Sequence, residues 1–411
     1  MRLRRWHSLS GRRPPRLVMI VADYVPAVGG TTTQARLHAR EFARRGWDVT
    51  ILTRRITWRH SRDLVDGLAV RRVGSPGRGR LVKVPLLIAL WWWLLVRRRQ
   101  ITAVSVIMEA DFALCAEGAG LARATTLTWV TDGDVSRFLS GRRGRIRYPL
   151  LQRCTHVALT QRMQAELQEH GVSPVHVIAV PVDTARFYSP TDAERAKARH
   201  TLNIGSEPVM TFVGHLQERK GVGQLLAAVK KLRDAGRVLT VLLVGGPVAA
   251  GDAQYVAKLK EFVQSSGLTG SVRFIGPQQD VVPYLFAADL FCLASQREGM
   301  PNVLLEAMAC GVPCVAPQSA GGDALLSSGA GCIPASNAPD HLAAAIDSLL
   351  SHEAVRESLA GTALDRVMKD HSIQAIVDDY ERIIGVQRSS SDGVQAIDGE
   401  ERTPTSAASG A

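Results

Sequence analysis

Apolar and polar positions alternate along this chain in a recurring cycle. The apolar run RLVMIVADYVP (16–26) predicts a strand that ends in a turn. VGGTTTQARLHAREFARRG then carries a helical pattern closed by Gly46, and WDVTILT returns to a strand. This is a β-α-β opening with Gly29 and Gly30 in the strand-to-helix loop. Further strands are predicted at 101–108, 125–131, 156–160 and 175–180, with helical stretches between them. A second cycle starts at PVMTFVG (208–214). It continues through helix VGQLLAAVKKLRDAG, strand VLTVLLVGG, helix AQYVAKLKEFVQSSG, strand SVRFIG, helix VVPYLFAA and strand LFCLAS. Such alternation predicts an α/β protein with parallel sheets covered by helices on both faces. Two series imply two Rossmann-like, doubly wound domains facing each other across a cleft, where ligands of such sheets bind. We place the first domain at 16–187 and the second at 188–371, with a last helix at about 372–386 packing back on the first. Residues 1–15 form a basic arm, and the Ser/Gly/Ala-rich tail 387–411 is expected to be disordered.

One segment breaks the rhythm. KVPLLIALWWWLLVRRRQ is apolar without interruption from Val84 to Val96, flanked by Lys83 and by Arg97 to Arg99. The run is too short to span a bilayer. It reads either as a buried helix or as one lying at an interface, where tryptophan is favoured. Three adjacent tryptophans splay around a helix, so at least one is expected at the surface.

Charge sharpens this picture. The chain of 411 residues has a net charge of +12, yet residues 1–100 alone hold 22 Lys and Arg against 5 Asp and Glu. The remainder is therefore net acidic. Such asymmetry implies a polyanionic partner, either nucleic acid or the anionic leaflet of a membrane, against the plainer reading of a solvated basic face. The basic-flanked tryptophans favour an anionic membrane surface and no nucleic acid. MRLRRWHSLSGRRPPR is not followed by an apolar signal region, so we expect a cytoplasmic protein, peripheral on the inner face of the membrane. The six cysteines form no C-x-x-C pair, which fits small core residues in a reducing compartment rather than a zinc site.

The candidate chemistry centres on Ser295 to Ala316, SQREGMPNVLLEAMACGVPCVA. Pro301 suits the start of a helix, Asn302 to Cys310 is rich in good helix formers, and Gly311 and Pro313 stop it. The first amides of that helix, at Asn302, Val303 and Leu304, lack intrahelical partners and meet the positive end of the dipole, which suits a phosphate. Glu298 and Glu306 on either side can accept hydrogen bonds from paired hydroxyls. A phosphate flanked by sugar hydroxyls is a nucleotide-sugar. For one glutamate alone, a simple dipole role is the better explanation, so the rest of the chain has to decide.

The wider chain resembles the retaining glycosyltransferases of the GT-B fold, in the family 4-like group with an E-x7-E motif. ADYVPAVGGTTTQARLHAREFARRGWDVTILT resembles that family's opening, VMTFVGHLQERKGVGQLLAAVKKL its second-domain start, and FIGPQQDVVPYLFAADLFCLASQREGMPNVLLEAMACGVPCVAPQSAGG its donor-site block. By this resemblance, Glu306 holds the ribose and Glu298 lies beside the donor sugar. Gly299, Met300, Asn302 and Val303 supply backbone to sugar and diphosphate. Lys220 neutralises the departing diphosphate, with the alternative of a solvated loop lysine. Gly29 and Gly30 approach phosphate and acceptor, Gly214 belongs to the second-domain loop, and Gly276 to Gln278 meet the base. No metal and no cofactor is implied beyond the nucleoside-diphosphate-sugar substrate, because amides and a lysine stabilise the charge.

The chain also departs from the family pattern. His215 stands where arginine is usual, and Arg219 is a possible substitute. In VTDGDVSRF, Thr131 stands where a histidine is frequent, next to Asp132 and Asp134, which equally suit a helix N-cap. AVPVDTARF lacks the frequent Asn-Gly. The implied function is sugar transfer from a nucleoside-diphosphate-sugar to a lipid-linked or saccharide acceptor, in envelope glycolipid or polysaccharide synthesis. A non-catalytic nucleotide-sugar-binding relative and a nucleotide-sugar epimerase remain alternatives. A dinucleotide-dependent dehydrogenase is disfavoured, since Gly29-Gly30 has no G-x-G-x-x-G context.

Overall fold

The computed structural model describes residues 14–26, 30–55, 61–76, 80–107, 110–129, 152–248, 250–298 and 300–385. Strand β1 (Arg16–Ile20) leads into α1 (Gly30–Arg44), β2 (Asp48–Arg54), β3 (Arg62–Val65) and β4 (Leu68–Val73). Helix α2 (Arg80–Arg97), β5 (Ala103–Ile107), α3 (Ala110–Gly118), β6 (Thr125–Trp129), β7 (Thr155–Ala158), α4 (Gln161–Glu169) and β8 (Val175–Val177) follow. They form one sheet in the order β3-β4-β2-β1-β5-β6-β7-β8. Central β1 pairs in parallel with both neighbours, Leu17 lying opposite Val49 on one side and Ala103 on the other.

Residues of β1 point alternately to two cores, as a pleated strand requires. Leu17 and Met19 pack with Ala35, Ala39 and Phe42 of α1. Val18 and Ile20 pack with Leu86, Leu90 and Leu94 of α2 and with Phe112 of α3. Both faces are covered, so the strand is apolar throughout.

The sheet is not wholly parallel. Strand β3 runs antiparallel to β4 through a tight hairpin at Asp66 and Gly67, both at positive φ (53° and 79°). That Asp-Gly pair, set between two alternating runs, is a hairpin signal that the expectation of a purely parallel sheet overlooked.

The second domain begins with α5 (Asp192–Thr201) and β9 (Val209–Val213), then α6 (Val222–Asp234), β10 (Thr240–Val244), α7 (Ala250–Ser265) and β11 (Val272–Gly276). It continues with α8 (Val282–Phe286), β12 (Leu290–Cys292), α9 (Asn302–Ala309), β13 (Cys314–Val315), α10 (Gly322–Leu325), α11 (Pro339–Ser351) and α12 (Glu353–Asp370). Its sheet is parallel, in the order β11-β10-β9-β12-β13.

The chain crosses between the domains twice, side by side. Val182 N donates to His371 O at 2.9 Å, and His371 Nδ1 lies 2.7 Å from Val180 O. After the second crossing, α13 (Ile373–Ile384) buries Ile376, Val377 and Tyr380 in the α1 side of the first domain. Trp47 Nε1 donates to Glu381 Oε1 at 2.7 Å, and Tyr380 OH lies 2.9 Å from Thr128 Oγ1.

The three tryptophans of α2 take three environments. Trp91 lies against Gly118 of α3, where an added Cβ would come within 3.2 Å of it. The Arg97 guanidinium sits 4.6 Å from the Trp93 ring centre. Trp92 is 60% exposed. The segment is therefore neither a fully buried helix nor uniformly exposed.

Candidate active site

Two walls meet where β1 and β12 end. From the first domain comes the start of α1, and from the second the start of α9. Gly30 approaches so closely that a Cβ there would lie 3.1 Å from Asn302 Nδ2. Gln34, one turn on, donates through Nε2 to Asn302 Oδ1 at 3.3 Å and to Pro181 O at 3.1 Å. Asn302 thus tethers the helix start of one domain to the helix start of the other.

Beside this contact lies a cavity of ≈ 370 Å³, with Gln34, Arg186, Gln278, Asn302, Val303 and Glu306 in its lining. Burial pushes the Glu306 carboxyl up to about 7, against a smaller opposing pull from the Arg186 charge. Arg186 is held by Asp280 Oδ1 at 2.9 Å and by Gln279 O at 3.3 Å. A half-buried carboxyl short of solvent is a site that gains from hydroxyl donors.

The open end of α9 is narrower than its sequence implies. Pro301 is the extended residue before the helix (φ −77°, ψ 105°) rather than its first helical residue. Its carbonyl accepts from Leu304 N at 3.1 Å. That three-residue closure tightens the first turn and takes Leu304 out of the anion-binding set. The amides of Asn302 and Val303 remain at the open end.

A charged cluster stands next to this helix start. Lys220 Nζ donates to Glu298 Oε1, and Arg219 Nη1 lies 4.0 Å from the same oxygen. Both partners are largely withdrawn from water, at 14% and 10% side-chain exposure. Their meeting depends on Gly221, whose φ of +68° and close approach exclude a side chain: a Cβ would fall 1.9 Å from Ala294 O. Gln296 N donates to Arg219 O at 2.8 Å, binding the two loops along their backbones. His215 lies in the same field. Partial burial, then the charges of Lys220 and Arg219, hold its imidazole below the usual histidine range, with Asp252 opposing. It is a neutral ring at pH 7.

The remaining candidates fall around these two groups. Gly214 N donates to Val244 O at 2.9 Å, Gly276 (φ +82°) ends β11, and Met300 packs on the second-domain core. Gly29, Gly299, Thr131, Asp132 and Asp134 lie outside the described residues.

Comparison with known proteins decides the family. Residues 28–186 match Glycosyltransferase Family 4, and residues 194–365 match Glycosyl transferases group 1. The chain belongs to the family 4-like glycosyltransferases. The chain is 32% identical over 232 residues to a D-inositol 3-phosphate glycosyltransferase of Rhodococcus opacus, covering 54% of this chain and 51% of that one. It is 30% identical over 206 residues to a lipopolysaccharide core biosynthesis glycosyltransferase of Rhizobium meliloti, covering 50% and 54%. The chain thus spans about half the length of the curated relatives it matches. An Anabaena protein, HepE, solved in complex with UDP and glucose, shares the fold with a TM-score of 0.72 at 19% identity, over 90% of this chain and 99% of that one. The fold is GT-B.

The sequence alone did not point to Gln34, Arg36, Arg40 and Arg186, all in the cavity lining. Gln34 follows Gly30 by four residues and Arg40 follows Arg36 by four, and that spacing was the available signal. Arg186 gives no local signal, because its place at the cavity comes from the domain crossing.

Proposed function

We propose that this glycosyltransferase moves a sugar from a nucleoside-diphosphate-sugar to an acceptor hydroxyl, with retention of anomeric configuration. The observation that carries this reading is the adjacency of three features. These are the Lys220–Glu298 pair, the open start of α9, and the Glu306 carboxyl in the interdomain cavity. In this reading Glu306 accepts the ribose hydroxyls and the amides of Asn302 and Val303 face the diphosphate. Lys220 turns from Glu298 toward the charge that develops as the bond from sugar to diphosphate breaks, leaving Glu298 for the sugar hydroxyls. The acceptor oxygen attacks the same face of the sugar and yields its proton to a donor phosphate oxygen. Closure of the domains excludes water and limits hydrolysis. The HepE complex with UDP and glucose supports such a donor.

For the acceptor we propose a lipid-linked or saccharide hydroxyl of envelope glycolipid or polysaccharide synthesis, reached from the inner face of an anionic membrane. The name of the Rhizobium relative, a lipopolysaccharide core biosynthesis glycosyltransferase, supports this class, whereas that of the Rhodococcus relative names D-inositol 3-phosphate instead. No helix among the described residues is long and apolar enough to cross a membrane. The test is release of nucleoside diphosphate from a panel of nucleotide-sugars incubated with envelope lipid extract, with the anomer of the product read by NMR. A retained anomer with release in the wild type and little release in Lys220→Ala supports the reading. An inverted anomer overturns the retaining mechanism, and donor binding with no release from any combination favours a non-catalytic relative.

A further inference from the structure

Helix α2 presents an apolar face to solvent. Val84, Ile88, Trp92 and Val96 recur four residues apart and are 59%, 60%, 60% and 58% exposed. Leu86, Leu90 and Leu94 fill the opposite face and are buried in the sheet core. A surface helix ordinarily turns charged residues outward at such positions. From Val84 to Val96 the stripe runs about 18 Å along the axis.

The surroundings of the stripe are basic. No carboxylate occurs anywhere in Arg80–Arg97, and exposed Lys83, Arg98 and Arg99 stand at its ends. Arg123 adds another exposed cation on the turn before β6, close to Gly120, which Arg98 Nη1 approaches. The helix is firmly seated: Gly74 (φ +75°) comes so near that a Cβ would lie 2.9 Å from Leu86 Cα. Lys83 Nζ pairs with Asp111 at 2.6 Å, where α3 leaves the ligand-binding edge of the sheet. The stripe therefore starts at the cleft side of the first domain and runs away from it.

We propose that this face of α2 is a docking surface for an anionic lipid bilayer. Val84, Ile88, Trp92 and Val96 enter the boundary between headgroups and acyl chains, while Arg98 and Arg99 meet lipid phosphates. This deepens the membrane location proposed above by naming its surface, and it stands on the helix face rather than on the identity of the acceptor. Charge complementarity chooses the occupant. A second copy seated on the same face would bring two basic rims together with no carboxylate on either helix to pair with them. An anionic bilayer meets both the apolar stripe and its cations, and it lays the cleft side of the domain next to membrane-held acceptors.

The test is co-sedimentation of the full chain with phosphatidylcholine vesicles and with phosphatidylcholine–phosphatidylglycerol vesicles, at low salt and at about 0.5 M salt. The wild type should pellet only with the anionic vesicles, and less at high salt. Ile88→Ser/Trp92→Ser should lower the partition coefficient at least ~10-fold, since two apolar side chains stay in water. Arg98→Gln/Arg99→Gln should lower it about fivefold per arginine. Both variants should keep the wild-type melting temperature and nucleoside diphosphate binding by calorimetry. Undiminished binding by Ile88→Ser/Trp92→Ser, equal binding to both vesicle types, or none to either would overturn the proposal. So would a wild-type dimer in sedimentation velocity that the same variant dissolves. Absence of nucleoside diphosphate binding in the wild type would instead strike the glycosyl-transfer reading and leave the docking surface standing.

Discussion

Lys220 Nζ donates to Glu298 Oε1 across a sequence separation of 78 residues, joining the loop after β9 to the loop after β12. Each group is largely withdrawn from water and lies beside the helix start that would hold a diphosphate. Before donor arrives, each charge compensates the other's desolvation. In the proposed reaction, donor binding gives the lysine a phosphate to meet and the carboxylate hydroxyls.

The first prediction follows from that exchange. Lys220→Ala should reduce kcat by about 3 kcal/mol of transition-state stabilisation, or roughly 100-fold. It should also lower the melting temperature, because Glu298 is left as an uncompensated charge. Adding Glu298→Gln should recover the melting temperature without recovering turnover. Steady-state kinetics and thermal denaturation of the two variants check this; wild-type turnover in Lys220→Ala removes the lysine from the mechanism.

Glu306 sets a pH dependence. Its folded-state carboxyl is raised from 4.5 to about 7 by burial, so the unfolded chain ionises first as pH rises. The folded state accordingly loses stability through this group between about 4.5 and about 7, and the loss is complete above that window. Glu306→Gln should melt higher than wild type at pH 8 and equal to it at pH 4.5. Thermal scans across that range would show the difference growing with pH, and a constant offset would place the effect elsewhere.

His215 invites a substitution toward the family pattern. Lys220 and Arg219 help keep its ring neutral, so it adds no cation at pH 7 or 8. His215→Arg should tighten nucleoside diphosphate binding at pH 8 by on the order of 1 kcal/mol, about fivefold. Calorimetric titration of both forms measures it. Unchanged affinity would assign the diphosphate cation to Arg219.

Gly221→Ala tests the backbone approach. The new Cβ would fall 1.9 Å from Ala294 O at a φ of +68°, so the loop must shift and carry Lys220 away from Glu298. A lower melting temperature and a loss of turnover comparable to that of Lys220→Ala are expected. A variant with normal activity would show that the pair tolerates displacement.

The two doubly wound domains and the stretch from Glu298 to Glu306 were legible in sequence because each is a local pattern: continuous apolar strand runs alternating with helices, a helix start, acids at fixed spacing. The hairpin at Asp66 and Gly67 was equally local and went unread because alternation of strand and helix dominated that region. The stripe of Val84, Ile88, Trp92 and Val96 was hidden by a different cause. An uninterrupted apolar run has no contrast from which to tell an inner face from an outer one, so only packing reveals that Leu86, Leu90 and Leu94 are the inner set. Arg186 belongs to the site through the crossing of the chain between domains, which no local pattern encodes. Leu304 was misassigned because its amide is taken by a tight first turn at Pro301.

The most direct test of the account is calorimetric titration of nucleotide-sugars into the wild type and Glu306→Gln at pH 6 and pH 8. The diphosphate diester keeps its charge over this range, so a pH effect reports on the protein. If ribose hydroxyls bind the ionised Glu306 carboxylate, wild-type affinity for the preferred donor should rise with pH by up to about 10-fold. Binding by Glu306→Gln should be weak and independent of pH. Equal affinities for the two proteins at both pH values would contradict the assignment of the interdomain cavity as the nucleotide-sugar site.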